Sequence, residues 1–286
     1  IIPVLLFVML VSLPFAWMYL LPSSLIDLSK SILYSLGFSS NFYFHYSGQQ
    51  YGAESGLLKP FLHTWSLSVE EQFYMFWPFI ILFIKPKNTF ITIISTIIIA
   101  LVIRTYLYVY VGKWMATSYF TLSCMHALGL GALLAFILLY KPKIKKALSN
   151  PIWLYTSFAL YIFSLFLPHL FDVAWYREIF DDFFFAILAA FIILRASKNG
   201  FTGLVKLILE NKFVVYSGKI SYGLYVFHLF IPALFYYLAS IIGLSINNKY
   251  LFFIALYFLT FLVAHICWKL IERPINKLKQ RVPYIK

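Results

Sequence analysis

The feature that most narrows what this chain can fold into is the recurrence of apolar stretches long enough to cross a bilayer. A helix needs about 20 predominantly apolar residues to span the hydrocarbon core. Such stretches run roughly over 1–21, 64–84, 89–111, 119–140, 151–168, 179–195, 218–242 and 250–271. Lipid offers backbone N–H and C=O groups no partner, so each stretch must satisfy them within itself, as helix. The expected fold class is therefore all-α: a polytopic helical membrane bundle of about eight spans. Composition agrees, since 62% of the residues are hydrophobic and only 12% charged, where a soluble domain carries about 25% charged residues. An ordinary soluble enzyme is thereby excluded.

Charge placement orients the spans. Lys85 and Lys87, then Lys141, Lys143, Lys145 and Lys146, then Arg195, Lys198, Lys206, Lys212 and Lys219, and finally Lys269, Arg273, Lys277, Lys279, Arg281 and Lys286 fall on alternate connections. The positive-inside rule makes these cytoplasmic, together with the C-terminus. It also accounts for the net charge of +13 without a nucleic-acid partner. Asp27, Glu54, Asp172, Glu178, Asp181 and Asp182 are assigned to exterior loops. For the alternation to hold, the apolar segment Leu28 to Phe44 should lie along or re-enter the membrane on the outer side; hydropathy alone also allows a ninth full span there. Its serines and Asn41 make it polar enough for the former. The cysteines, Cys124 and Cys267, both fall in predicted spans, and no disulfide framework is expected.

One stretch carries most of the chemistry, Leu62-His63-Thr64-Trp65-Ser66-Leu67-Ser68-Val69-Glu70-Glu71-Gln72-Phe73-Tyr74-Met75-Phe76-Trp77-Pro78. It places two carboxylates and a histidine in a predicted membrane helix. An ionisable group at that depth costs at least ~2.5 kcal/mol and normally faces a cavity or a pathway. On one helix His63, Ser66, Glu70 and Tyr74 share a face, with Glu71 about a third of a turn away. Arg104 is the only basic residue in mid-span; its guanidinium needs either an acid, with Glu70 or Glu71 the simplest choice, or an anionic ligand. A second polar stripe comes from Ser221, Tyr225 and His228 within Ser217-Gly218-Lys219-Ile220-Ser221-Tyr222-Gly223-Leu224-Tyr225-Val226-Phe227-His228. A histidine in such a helix serves either as a hydrogen-bonded packing residue or as a reactive one. Neither His63 nor His228 has partners at metal-ligand spacing, so no metal is expected.

The first stretch closely resembles the signature of the acyltransferase-3 family, membrane-bound enzymes typified by O-antigen and other polysaccharide O-acetylases. The second resembles that family's Gly-Lys-Ile-Ser-Tyr element. Trp268-Lys269-Leu270-Ile271-Glu272-Arg273-Pro274 resembles the Glu-x-Pro end of its last helix, with Pro274 expected to stop the helix. Leu122 to Ala135 resembles a further family helix, but Cys124 and His126 stand where the family often has Arg and Asp. The resemblance implies a ten-span domain, of which residues 1–274 would supply eight, followed by a basic cytoplasmic tail at 275–286. The two absent helices would include the one bearing the family's catalytic His.

It further implies transfer of an acyl group, acetyl in the first instance, from cytoplasmic acyl-CoA to a hydroxyl of a cell-envelope glycan or lipid-linked sugar, with lipopolysaccharide among the candidates. Acetyl-CoA would be a co-substrate, with no permanently bound cofactor, and the setting the bacterial inner membrane. Attack of an oxygen nucleophile on a thioester needs a base and a stabiliser of the oxyanion. The catalytic candidates are Glu70, His63 and Glu71. Substrate or acyl-donor candidates are Arg104, Ser66, Tyr74, Ser221, Tyr225 and His228. A transporter of a polar substrate, and an inactive truncated acyltransferase, are the alternative readings.

Overall fold

The computed structural model describes residues 2–48, 59–111, 114–171, 174–241, 243 and 248–279, and every regular element among them is helical. In chain order these are α1 (Ile2–Tyr19), α2 (Pro22–Leu36), α3 (Ser40–Gly48), α4 (Thr64–Phe83), α5 (Thr89–Val111), α6 (Trp114–Tyr119), α7 (Thr121–Tyr140) and α8 (Pro142–Leu148). They continue as α9 (Ile152–Phe171), α10 (Ala174–Ala196), α11 (Gly203–Leu209), α12 (Lys212–Lys219), α13 (Ser221–Phe227), α14 (Ile231–Ile241), α15 (Lys249–Cys267) and α16 (Arg273–Lys279). The protein is a multi-pass helical membrane bundle, as expected. Glu54 and Asp172, used to orient the loops, and tail residues 280–286 lie outside the described residues.

Among the described residues four helical segments are long and apolar enough to cross a membrane: Ile2–Tyr19, Pro86–Val111, Thr121–Tyr140 and Lys249–Leu278. A fifth is counted if Pro142–Leu148 and Ile152–Pro168, bent by 63° at their junction, form one span. Three other expected spans do not qualify, for identifiable reasons. Helix α4 carries Glu70, Glu71 and Gln72 in its middle. Helix α10 begins earlier than expected and takes Arg177, Glu178, Asp181 and Asp182 into its first half, so these acids belong to a helix and not to a loop. The 218–242 stretch is broken into the end of α12, then α13 and α14. Pro232 has no N–H to give the carbonyl of His228 four residues back, which ends α13 and opens the turn at 228–230.

The 28–44 segment is likewise not one rod, because α2 ends at Leu36 and α3 starts at Ser40, across a bend in which Phe38 takes φ 48°. Pro274 does not stop the last helix as expected. A single π turn over Trp268–Glu272 lets the N–H of Arg273 reach the carbonyl of Trp268, five residues back, and α16 continues beyond it. Widening one turn absorbs the missing donor that would otherwise break the helix.

The chain divides into two compact units. The first comprises Ile1–Leu33, Glu54–His63 and Gly203–Lys286. In it α13 and α14 pack on α15, and α1 packs on α13 and on the π turn. Val4, Val8, Ile220, Val226 and Ala264 are buried there. Gly223 lets α13 approach α15: a Cβ on it would stand 3.2 Å from that of Ala264, the usual role of small residues between membrane helices.

The second unit comprises Tyr34–Ala53 and Thr64–Thr202. Helix α7 packs on α5, and α10 packs on α9, α7 and α5. Gly129 sets the α5–α7 spacing, since a Cβ there would lie 2.7 Å from Cγ1 of Ile97. The surface is apolar in a way water would not tolerate. Phe83, Leu139 and Phe253 are 82%, 74% and 70% exposed, as befits helices whose outer faces meet hydrocarbon.

Candidate active site

The first unit holds an imidazole pair. Residues 60–63 form a turn ahead of α4, which starts only at Thr64. His63 therefore sits outside the helix that was expected to contain it, and the polar face of α4 consists of Ser66, Glu70 and Tyr74. His63 is buried, its ring 5.4 Å from that of His228 and 5.1 Å from that of Tyr225, all centroid to centroid. The Tyr225 hydroxyl donates to the backbone carbonyl of His63, tying α13 to this turn. Phe230 packs edge-on against Phe61 and His63. Burial first, and the charge of His228 second, push the His63 imidazole down to about 4, so it is neutral at physiological pH.

His228 itself is exposed, and its Nδ1 lies 2.6 Å from the Tyr225 carbonyl. A carbonyl oxygen can only accept, so Nδ1 carries a proton, and in the neutral ring Nε2 is the nitrogen with the lone pair. That is the tautomer a general base requires. Ser221 opens α13 and is exposed. On the neighbouring helices, Tyr216 bonds His265 at 2.6 Å, and Glu272 sets Oε1 3.4 Å from where a Cβ on Gly223 would stand.

The second unit is organised by a polar lattice that the sequence did not disclose. Gln72 donates to the Phe38 carbonyl at 2.6 Å and to Asn41 Oδ1 at 3.0 Å. Asn41 donates to the Tyr119 carbonyl and to Thr121 Oγ1, both at 3.0 Å, and the Thr121 hydroxyl donates to Gln72. Ser40 and Ser68 share a 2.7 Å hydrogen bond, as do Ser35 and Thr64. This lattice holds α3 against α4. It leaves Glu70 and Tyr74 exposed and Glu71 and Ser66 half-buried on the remaining faces of α4.

Arg104 is 3% exposed, but its acid partner is neither Glu70 nor Glu71. Its Nη2 stands 2.6 Å from Oδ2 of Asp182, and Nη1 donates to the Thr117 carbonyl at 3.3 Å. The structure thus favours an ion pair between α5 and α10 over a ligand contact. Asp182 went unrecognised because the charge rule assigned it to a loop; the signal was two adjacent acids at the start of an apolar run. Cys124 and Cys267 are both free thiols.

This is a multi-pass α-helical membrane protein with a buried–exposed imidazole pair in one unit and carboxylates on a span-length helix in the other. No protein-family model matches the chain, and no solved structure does. Among curated proteins, O-acetyltransferase OatA of Staphylococcus aureus is 28% identical to it over 291 positions, covering 96% of this chain and 46% of that protein. Peptidoglycan O-acetyltransferase OatA of Listeria monocytogenes is 28% identical over 267 positions, covering 90% and 42%. The chain spans a little under half the length of these relatives.

Proposed function

We propose that this protein is a membrane enzyme that transfers an acetyl group to a hydroxyl of a cell-wall glycan. The observation that carries the reading is a likeness to two proteins named O-acetyltransferases that extends over nine-tenths or more of the chain. The acceptor is peptidoglycan, the glycan in the name of the Listeria monocytogenes relative, in preference to lipopolysaccharide. The donor is acetyl-CoA, used as a co-substrate from the cytoplasmic side, where the lysine-rich connections suit its phosphates. On this reading the C-terminus is cytoplasmic and the membrane is the bacterial cytoplasmic one.

In the reaction the hydroxyl oxygen attacks the thioester carbonyl carbon and its proton passes to Nε2 of His228. The C–S bond then breaks, and the imidazolium returns the proton to the departing thiolate. Tyr225, by fixing the backbone at His63 while its own carbonyl holds Nδ1–H of His228, sets the base in its tautomer. His63, neutral and packed on the His228 ring, orients it without competing for the proton. Ser221 is assigned to the acceptor. Glu70 is the second candidate base, with Glu71, Ser66 and Tyr74 around it on α4; Arg104, already paired, is assigned to the scaffold.

Expression in a host that lacks glycan O-acetylation tests the reading. Mild alkali should then release acetate from purified glycan, in proportion to protein level. No ester in membranes containing folded protein supplied with acetyl-CoA, or acetyl-CoA-independent flux of a polar solute in proteoliposomes, would refute it.

A further inference from the structure

Within the second unit, the elbow between α8 and α9 meets the end of α10 at a notch of about 30 Å³. Its floor is apolar, with Leu154, Phe191 and Leu194, and its rim carries Ser149, Arg195 and Lys198. The Lys198 ammonium donates to the Ser149 hydroxyl, which in turn donates to the Lys145 carbonyl. Those contacts bring the last turn of α8, with Lys145 and Lys146, up to the two cations at the end of α10.

Two features set this end apart from an ordinary basic loop. First, no acid answers the charge. Between Gln72 and Phe171, and again between Phe183 and Leu209, the chain holds no Asp or Glu. Among the described residues no carboxylate pairs with Arg195 or Lys198, and Asp181 and Asp182 belong to the other end of α10, about 20 Å away along its axis. Second, the guanidinium is held in place. A Cβ on Gly200 would stand 3.0 Å from both Cδ and Nε of Arg195, so the chain closes over the side-chain stem at a position where any larger residue would crowd it. Nη1 reaches the Ser149 carbonyl at 3.5 Å, which leaves further N–H donors of the guanidinium fork to be answered from outside.

We propose that this notch seats the phosphate of an anionic phospholipid, which accepts hydrogen bonds from Arg195 and Lys198 while its acyl chains run down the outer faces of α9 and α10. Ile152, Trp153 and Tyr155, which follow the notch on α9, and Ile192 and Ile193, which precede it on α10, are exposed, so an occupant stands where headgroups meet hydrocarbon. An anionic headgroup answers the unpaired cations, as basic pockets between membrane helices do; a zwitterionic one would bring its own ammonium up to Lys145 and Lys146. The site does not involve the His63–His228 pair. It assigns these two cations to a lipid and not to the acyl donor, so its failure would leave the acetyl-transfer reading untouched.

The test uses Trp153, which stacks on Phe191 of the floor, as the reporter. The protein is reconstituted in phosphatidylcholine nanodiscs containing increasing mole fractions of brominated phosphatidylglycerol or brominated phosphatidylcholine, at fixed ionic strength. The part of the bromine quenching lost in Trp153→Phe is the signal from this site. Phosphatidylglycerol should bind about tenfold more tightly than phosphatidylcholine, the scale expected for two cations beside one anionic lipid. Arg195→Gln/Lys198→Gln should bring that preference to within about twofold, whereas Lys85→Gln/Lys87→Gln, which removes the same charge from another basic connection, should leave it in place. Equal affinity for the two lipids in the unaltered protein, equal losses in the two double variants, or displacement of the lipid by inorganic phosphate or coenzyme A would overturn the proposal. If Arg195→Gln/Lys198→Gln does not fold, Lys198→Gln is compared with Lys85→Gln, and an equal loss in those two is sufficient to refute it.

Discussion

At His63 a single imidazole couples stability to pH. Its folded-state value of about 4 lies below the 6.5 of an exposed histidine, so the unfolded chain takes up the proton first as pH falls. The stabilisation is complete above about pH 6.5 and is lost progressively down to about 4, amounting to ~3 kcal/mol at ~1.36 kcal/mol per pH unit. The apparent melting temperature in detergent should therefore fall over that window, and His63→Phe should remove most of the slope. An unchanged slope in the variant would place the titration elsewhere. Arg104 gives a second residue-scale prediction. Because Asp182 is 63% exposed, losing it should cost less than the ~3–5 kcal/mol of a fully buried pair, about 1–3 kcal/mol. Asp182→Ala, which strands the guanidinium, should be less stable than the double variant Arg104→Met/Asp182→Ala. Denaturation of the four species of the double-mutant cycle checks that order.

At the scale of elements, the α5–α7 contact turns on Gly129. Gly129→Leu should cost about 1–3 kcal/mol through overpacking against Ile97, and Ile97→Ala in that background should recover part of it. Gly131→Ala, with nothing within 4 Å of its Cβ position, should be close to neutral. Thermal melts of the three variants decide this. The same helices show what the sequence made legible. Thr89–Val111 matches its expected bounds because it holds no proline or glycine and a single charged residue, Arg104. The 218–242 stretch is equally apolar, but apolarity says nothing about where a backbone donor is missing, so the break at Pro232 was hidden inside a continuous signal. Pro274 misled in the opposite direction, because a π turn can accommodate a proline that an α turn cannot. The Ser40–Ser68 and Asn41–Gln72–Thr121 bonds join residues far apart in the chain, and no local pattern announces such pairs. His63, Tyr225 and His228 were each identifiable singly from the polar stripes; their convergence in one cluster was not.

For the molecule as a whole, apolar helices define a membrane protein, the polar clusters define where chemistry is supportable, and the relatives define which chemistry to test. The outward-facing phenylalanines and leucines commit the bundle to lipid, so polar side chains held inside it are there against a solvation cost. His228, by contrast, is exposed and has its Nδ1 held by the Tyr225 carbonyl. The most direct test is the initial rate of labelled acetyl transfer from acetyl-CoA to glycan by the reconstituted protein, its His228→Ala variant and its Glu70→Ala variant, each shown to be folded. Removing a general base typically costs about 10²–10⁴-fold in rate. The prediction is a loss of that size in His228→Ala and a smaller one in Glu70→Ala; transfer within about threefold of the unaltered rate in His228→Ala would contradict the assignment.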